Sequence, residues 1–90
     1  MKKDYAIILT FTFVDQSELY VRWEIDLYFN IRSKGILSEF FYDNTKTGFQ
    51  ETPISIEASL YSSPEIRSVV TPYGREQLLV GEKLHVIDFF

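Results

Sequence analysis

The sequence predicts a compact antiparallel β domain of about six strands, arranged as a β-sandwich or a partly open barrel. Residues 19–31 alternate between apolar and polar side chains without a break, as in a strand that has one face on a core and the other in water. Elsewhere, segments rich in aromatic and β-branched residues are separated by short polar turns. The length of 90 residues suits one domain spanning residues 1–90.

The first predicted hairpin joins residues 5–14 to residues 19–31. Both faces of residues 5–14 are largely apolar or β-branched, which is typical of a central strand that is covered above and below. Residues 15–18 form a polar connection of hairpin length. We therefore expect the two strands to pair antiparallel, with the odd-numbered side chains of both on one face.

The polar face of residues 19–31 is the predicted partner-binding surface. Tyrosine and arginine are over-represented at protein interfaces, because they combine a large contact area with directional hydrogen bonds. A solvated face whose tyrosines only cover neighbouring side chains is the alternative. The side chains of this predicted surface are Tyr20, Arg22, Glu24, Asp26, Tyr28, Asn30 and Arg32.

The middle of the chain is predicted to form two more strands and one short helix. The strands are expected over residues 36–42 and 53–61, each preceded by a turn signal. The helix is expected near residues 64–70, with Ser63 as its N-cap and Pro64 at the first helical position. An extended loop is the alternative for this last segment.

Pro72-Tyr73-Gly74 is predicted to turn the chain. The last predicted hairpin then joins residues 75–80 to residues 83–90 through Gly81-Glu82, because a two-residue loop with glycine first suits a type II′ turn. This register places Arg75 opposite Asp88, an opposite-charge pair. A terminal strand tends to form the edge of a sheet, and an apolar edge invites pairing with a second copy or a partner sheet. A strand packed between layers is the alternative. The residues of this predicted oligomer edge are Val86, Phe89 and Phe90.

Composition narrows the class of partner. The 13 acidic and 9 basic residues give a net charge of −4, and the basic residues are scattered, so direct nucleic-acid binding is not expected. The chain has no Cys and one His, so no metal site or cofactor is predicted. Its apolar runs are too short to span a bilayer, and its start lacks a signal-peptide cleavage site. We therefore expect a cytoplasmic protein with no membrane partner.

Three side chains are candidates for chemistry, although no catalytic residue is assigned. Glu24 and Asp26, two positions apart on one strand face, would serve as an acid and base pair or hold a hard cation. A charge ladder with Arg22 explains the same pair without chemistry. His85 is a lone histidine in a predicted strand, where a structural role is the commoner one.

These observations predict a small, acidic, non-enzymatic protein-binding module. It would act by occupying a macromolecular partner, as an inhibitor, immunity or anti-defence protein of a phage or bacterium does. The first alternative is a self-assembling structural subunit of a phage particle or larger complex. The second alternative is a small-ligand binder or enzyme that uses Glu24, Asp26 or His85.

Overall fold

The computed structural model describes residues 4–90, and the fold is mainly β. Four antiparallel strands form one sheet in the order β2-β1-β3-β4. They are β1 (Tyr5–Thr12), β2 (Glu18–Trp23), β3 (Ser55–Thr71) and β4 (Gly74–Phe89). Three helices lie between β2 and β3 in the sequence, namely α1 (Ile25–Ser33), α2 (Leu37–Tyr42) and α3 (Asn44–Thr47). The prediction of a mainly β antiparallel fold is confirmed, whereas the six-stranded sandwich or barrel is not.

Strand β1 is central, as its two apolar faces predict. It pairs antiparallel with β2 on one side and with β3 on the other. Leu9 lies opposite both Val21 and Ala58, so the odd-numbered residues of the first hairpin share one face of the sheet, as predicted.

The core lies between this odd face and the helices. Phe11 packs edge to face against Phe41 of α2, with ring centroids 5.7 Å apart. Full burial of a large apolar side chain contributes about 1.5–3 kcal/mol, so this layer is the main source of stability. The buried cluster consists of Ile7, Leu9, Phe11, Tyr28, Leu37, Phe41, Ile56 and Ala58.

The single strand predicted over residues 19–31 is wrong. Strand β2 ends at Trp23, and α1 begins at Ile25 after an extended Glu24 with φ −65° and ψ 144°. Within α1, Ile25, Tyr28 and Ile31 recur at a spacing of three and face the core, and Tyr28 is fully buried. Because Tyr28 was counted as polar, the segment showed the apparent alternation of a strand, and its helical spacing was overlooked.

The strand predicted over residues 36–42 is also wrong, because this segment forms α2. Leu37, Phe40 and Phe41 have the i, i+3, i+4 spacing of an apolar helix face, and all three pack on the core. The four-residue α3 follows, and its N-terminus is capped by the Asp43 carboxylate, which accepts a hydrogen bond from the Thr45 backbone N–H at 2.9 Å.

No helix forms near residues 64–70, which belong to β3. Its turn into β4 lies between Thr71 and Gly74, so the hairpin predicted at Gly81-Glu82 is wrong as well. Pro64 is tolerated because the pairing of β3 with β4 is interrupted between Ser62 and Glu65, where its missing N–H breaks no regular ladder.

The register that would have paired Arg75 with Asp88 is absent for the same reason. Arg75 lies opposite Val70, and Asp88 lies opposite Ala58.

A sharp bend divides the β3–β4 hairpin into a sheet portion and an outer portion, residues 65–80, which we call the arm. Gly81 adopts φ 139° at this bend, and a side chain there would meet the Pro64 Cα atom at 2.9 Å. The bend therefore depends on close approach of two backbone segments.

The arm crosses the face of the sheet opposite the helices. Gln77 of the arm accepts a hydrogen bond from the Tyr20 backbone N–H at 2.7 Å and donates one to the Tyr20 carbonyl at 3.4 Å. Tyr20 belongs to β2, at the opposite edge of the sheet from β4, so the arm must span β1 to reach it. Consistently, Ala6 and Ile8 on this face of β1 are fully buried.

Candidate functional site

The structure does not bring the predicted partner-binding residues onto one surface. Tyr20 and Arg22 lie on β2, Glu24 lies at the junction, and residues 26–32 belong to α1. The Arg22 guanidinium is bonded to Asp4 at 2.9 and 3.0 Å and contacts Glu24 at 3.4 Å. The predicted flat strand face is therefore wrong, because the chain changes from strand to helix in the middle of it.

Tyr28, Arg32 and Asp88 form a polar link between α1 and β4. The Tyr28 hydroxyl donates to the Asp88 carboxylate, and the Arg32 guanidinium donates to the same group at 2.8 and 3.2 Å. Burial, followed by the bond to Asp88, raises the pKa of Tyr28. The hydrogen bond from Arg32 is the main cause that lowers the pKa of Asp88. Because these groups satisfy one another, the link holds the fold together.

Two further residues of the predicted surface lie on α1 outside this link. Asp26 and Asn30 are both exposed on α1. Since Tyr28 between them points into the core, the helix offers no continuous tyrosine and arginine face.

The three residues of the predicted oligomer edge lie in different environments, two in solvent and one in the core. Strand β4 is an edge strand of the sheet, and Val86 and Phe89 are 47% and 71% exposed. Phe90 instead exchanges two backbone hydrogen bonds with Ile56, at 3.1 and 2.8 Å, and its ring lies 5.7 Å from that of Phe41. Two of the three residues are thus free to contact a partner, and the third closes the core.

The tip of the arm is the most exposed apolar feature of the described chain. Tyr73 is 97% exposed and Val70 is 80% exposed. The turn between them is held by the Thr71 hydroxyl, which donates to the Gly74 carbonyl at 2.9 Å and accepts from the Tyr73 N–H at 3.2 Å. We call Val70, Tyr73 and the turn that joins them the arm tip.

One face of the arm carries three more part-exposed apolar side chains. Val69, Leu78 and Val80 are 37%, 48% and 41% exposed, and each lies opposite a charged residue of the paired strand, namely Glu76, Arg67 and Glu65. The turn predicted at Pro72-Tyr73-Gly74 is present, since β3 passes into β4 between Thr71 and Gly74. Sequence reasoning nevertheless missed the arm tip as a candidate site, because it assigned the last hairpin to Gly81-Glu82 and gave this turn no binding role.

The three candidates for chemistry are all exposed. Glu24 and Asp26 are exposed at the start of α1, and His85 is exposed on β4 opposite Leu60. Among residues 4–90, no group of three or more His, Cys, Asp and Glu side chains is placed to hold a metal ion.

No helix within residues 4–90 has the length and apolar character needed to cross a membrane. Comparisons with family models, curated proteins and solved structures gave no match to this chain.

Proposed function

We propose that this chain is a small, non-enzymatic protein-binding module that acts by occupying a macromolecular partner, as an inhibitor, immunity or anti-defence protein does. The observation that carries the proposal is the arm tip, where Tyr73 and Val70 are 97% and 80% exposed. Tyrosine is enriched among the residues that dominate binding energy, because it brings a large contact area with few rotatable bonds. An exposed aromatic ring at the end of a hairpin suits insertion into a pocket of a partner.

The arm tip is also held in place before binding. The Thr71 hydroxyl bonds fix the turn, and the Gln77 amide ties the arm to the backbone of Tyr20. A loop that is already ordered loses less conformational entropy on binding, so more of its contact energy appears as affinity.

Charge and composition define the rest of the proposal. A net charge of −4 favours encounter with a basic partner through long-range steering. We also propose that the module acts in the cytoplasm, since a chain without Cys needs no oxidising compartment.

The test is partner capture from native cells, followed by affinity measurement with the purified partner. The double variant Val70→Ser and Tyr73→Ser should weaken binding at least tenfold, about 1.4 kcal/mol, because interface residues that dominate binding cost more than this when truncated. The matched control is Val14→Ser with Tyr5→Ser, an exposed valine and tyrosine pair outside the arm. Equal affinity of the two variants, with native far-UV circular dichroism, would remove the arm tip from the proposal.

Self-assembly through β4 is a second candidate function. Phe89 is 71% exposed on an edge strand, which is an arrangement that invites pairing with another copy. Sedimentation equilibrium should then show dimers or larger species that dissociate in Phe89→Lys. Phe90 is unsuitable for this test, because its ring packs against Phe41 in the core. A monomer at high protein concentration would exclude this function.

A further inference from the structure

An apolar groove opens between the sheet and the two short helices α2 and α3. Its volume is about 220 Å³. Leu9, Val21 and Trp23 of β1 and β2 form one side, and Phe40 and Phe49 form the other. The groove is remote from the arm, because it lies on the helix-covered face of the sheet.

Aromatic rings give this groove its shape. Trp23 and Phe40 meet edge to face with centroids 5.7 Å apart, and Phe11 and Phe49 do so at 4.9 Å. Phe11 is buried, but Trp23, Phe40 and Phe49 remain partly exposed, so their rings are available to another aromatic ring, which is attracted to them edge to face.

Lys46 supplies the single charge among the side chains that line the groove. Its ammonium lies 5.9 Å from the centroid of the Phe40 ring, at the side of the groove. Within residues 4–90, Lys46 makes no ion pair. The groove therefore combines an aromatic interior with one available cation.

We propose that the groove binds a small aromatic carboxylate, with its ring among the aromatic side chains and its carboxylate beside Lys46. An apolar cavity of about 150 Å³ is large enough to hold benzene. A groove of about 220 Å³ then accommodates one ring and a short acidic side chain. This site is independent of the arm tip and of the proposed partner.

Trp23 provides a direct readout, because it is the single tryptophan of the chain and lines the groove. Phenylacetate should produce a saturable change in its fluorescence emission. Phenylacetamide, a neutral molecule of the same shape, should bind about fivefold more weakly at low salt, since an exposed ion pair supplies no more than this. Added salt should reduce the difference.

Two lysine variants separate the groove from general charge effects. Lys46→Gln should abolish the preference for phenylacetate and leave the affinity for phenylacetamide unchanged. Lys34→Gln, an exposed lysine outside the groove, should retain the preference. No saturable response, equal binding of acid and amide, or a preference that survives in Lys46→Gln would each overturn the proposal.

Discussion

Asp88 joins helix α1 to the edge strand β4, because its carboxylate accepts hydrogen bonds from both Tyr28 and Arg32. The phenol is buried and the carboxylate is mostly covered, so water cannot replace the lost bonds at full strength. This one acidic side chain therefore fixes the position of a helix that is too short to be stable alone.

Removing the Tyr28 hydroxyl should measure the strength of this link. We expect Tyr28→Phe to lower the free energy of unfolding by about 1–2 kcal/mol, because it deletes a buried hydrogen bond to a charged group while the ring still fills its site. Urea denaturation monitored by circular dichroism gives this value. Tyr73→Phe at the exposed arm tip is the control, and an equal loss in both variants would contradict the role of Asp88.

The same link predicts a loss of stability in acid. The Arg32 hydrogen bond is the main cause that lowers the pKa of Asp88, so the folded state favours the ionised carboxylate. Its contribution is fully present above the ordinary carboxyl pKa of about 4 and is lost as the pH falls through the lower folded value. The stability of Asp88→Asn should therefore depend less on pH below about 4 than that of the unchanged protein. Identical acid profiles of the two proteins, measured by denaturation at several pH values, would contradict this assignment.

For a single residue, the sequence predicts the polarity of its side chain more readily than the residues that it contacts. Alternation assigned Tyr28 to a wet face, yet its ring is buried and its hydroxyl bonds to a residue 60 positions away. A tyrosine satisfies both environments, so a pattern of apolar and polar letters does not determine its side. Local spacing also does not predict the Arg32–Asp88 pair, since it depends on how α1 packs against the sheet.

The bend in the β3–β4 hairpin places the arm on the face of the sheet opposite the helices. Gly81 and Gly74 both adopt positive φ, at 139° and 126°, but they differ in their surroundings. A Cβ atom at Gly81 would lie 2.9 Å from Pro64 Cα, whereas one at Gly74 would have no neighbour within 4 Å. The bend therefore needs glycine for space as well as for conformation.

This difference can be measured with two alanine variants. Gly74→Ala should lower the free energy of unfolding by the cost of backbone strain, about 1–3 kcal/mol. Gly81→Ala should cost more than Gly74→Ala, because the Pro64 backbone must also move. Chemical denaturation of both variants provides the comparison, and equal costs would show that the approach of Pro64 is unimportant.

Elements with one clear period were predictable, and elements shaped by distant packing were not. The β1–β2 hairpin followed from alternation and a polar turn, and its antiparallel pairing with the odd-numbered side chains on one face was confirmed. Helix α2 has three apolar side chains at helical spacing, but six residues are too few to distinguish this from an irregular strand. Gly81 indicated a hairpin turn, but it forms a bend inside β4. The local sequence does not distinguish such a bend from a turn.

Considered as a whole, the molecule covers the two faces of its sheet in different ways. The helices protect one face, and the arm protects the other while its tip remains exposed. The sequence predicted the sheet class and the central position of β1, because these depend on composition and pattern. It missed the arm tip as a candidate site, because the bend that folds the arm back depends on contacts between segments far apart in the chain.

The most direct test of the proposed function is site-specific photocrosslinking in native cells. Benzoylphenylalanine in place of Tyr73 should form a crosslink to one protein partner, because the arm tip is expected to enter that partner's surface. The same probe in place of Asn30, which is exposed on α1, should form none. A crosslink to one protein at position 73 alone is the predicted result. Equal crosslinking at both positions, or none at position 73, would contradict the account.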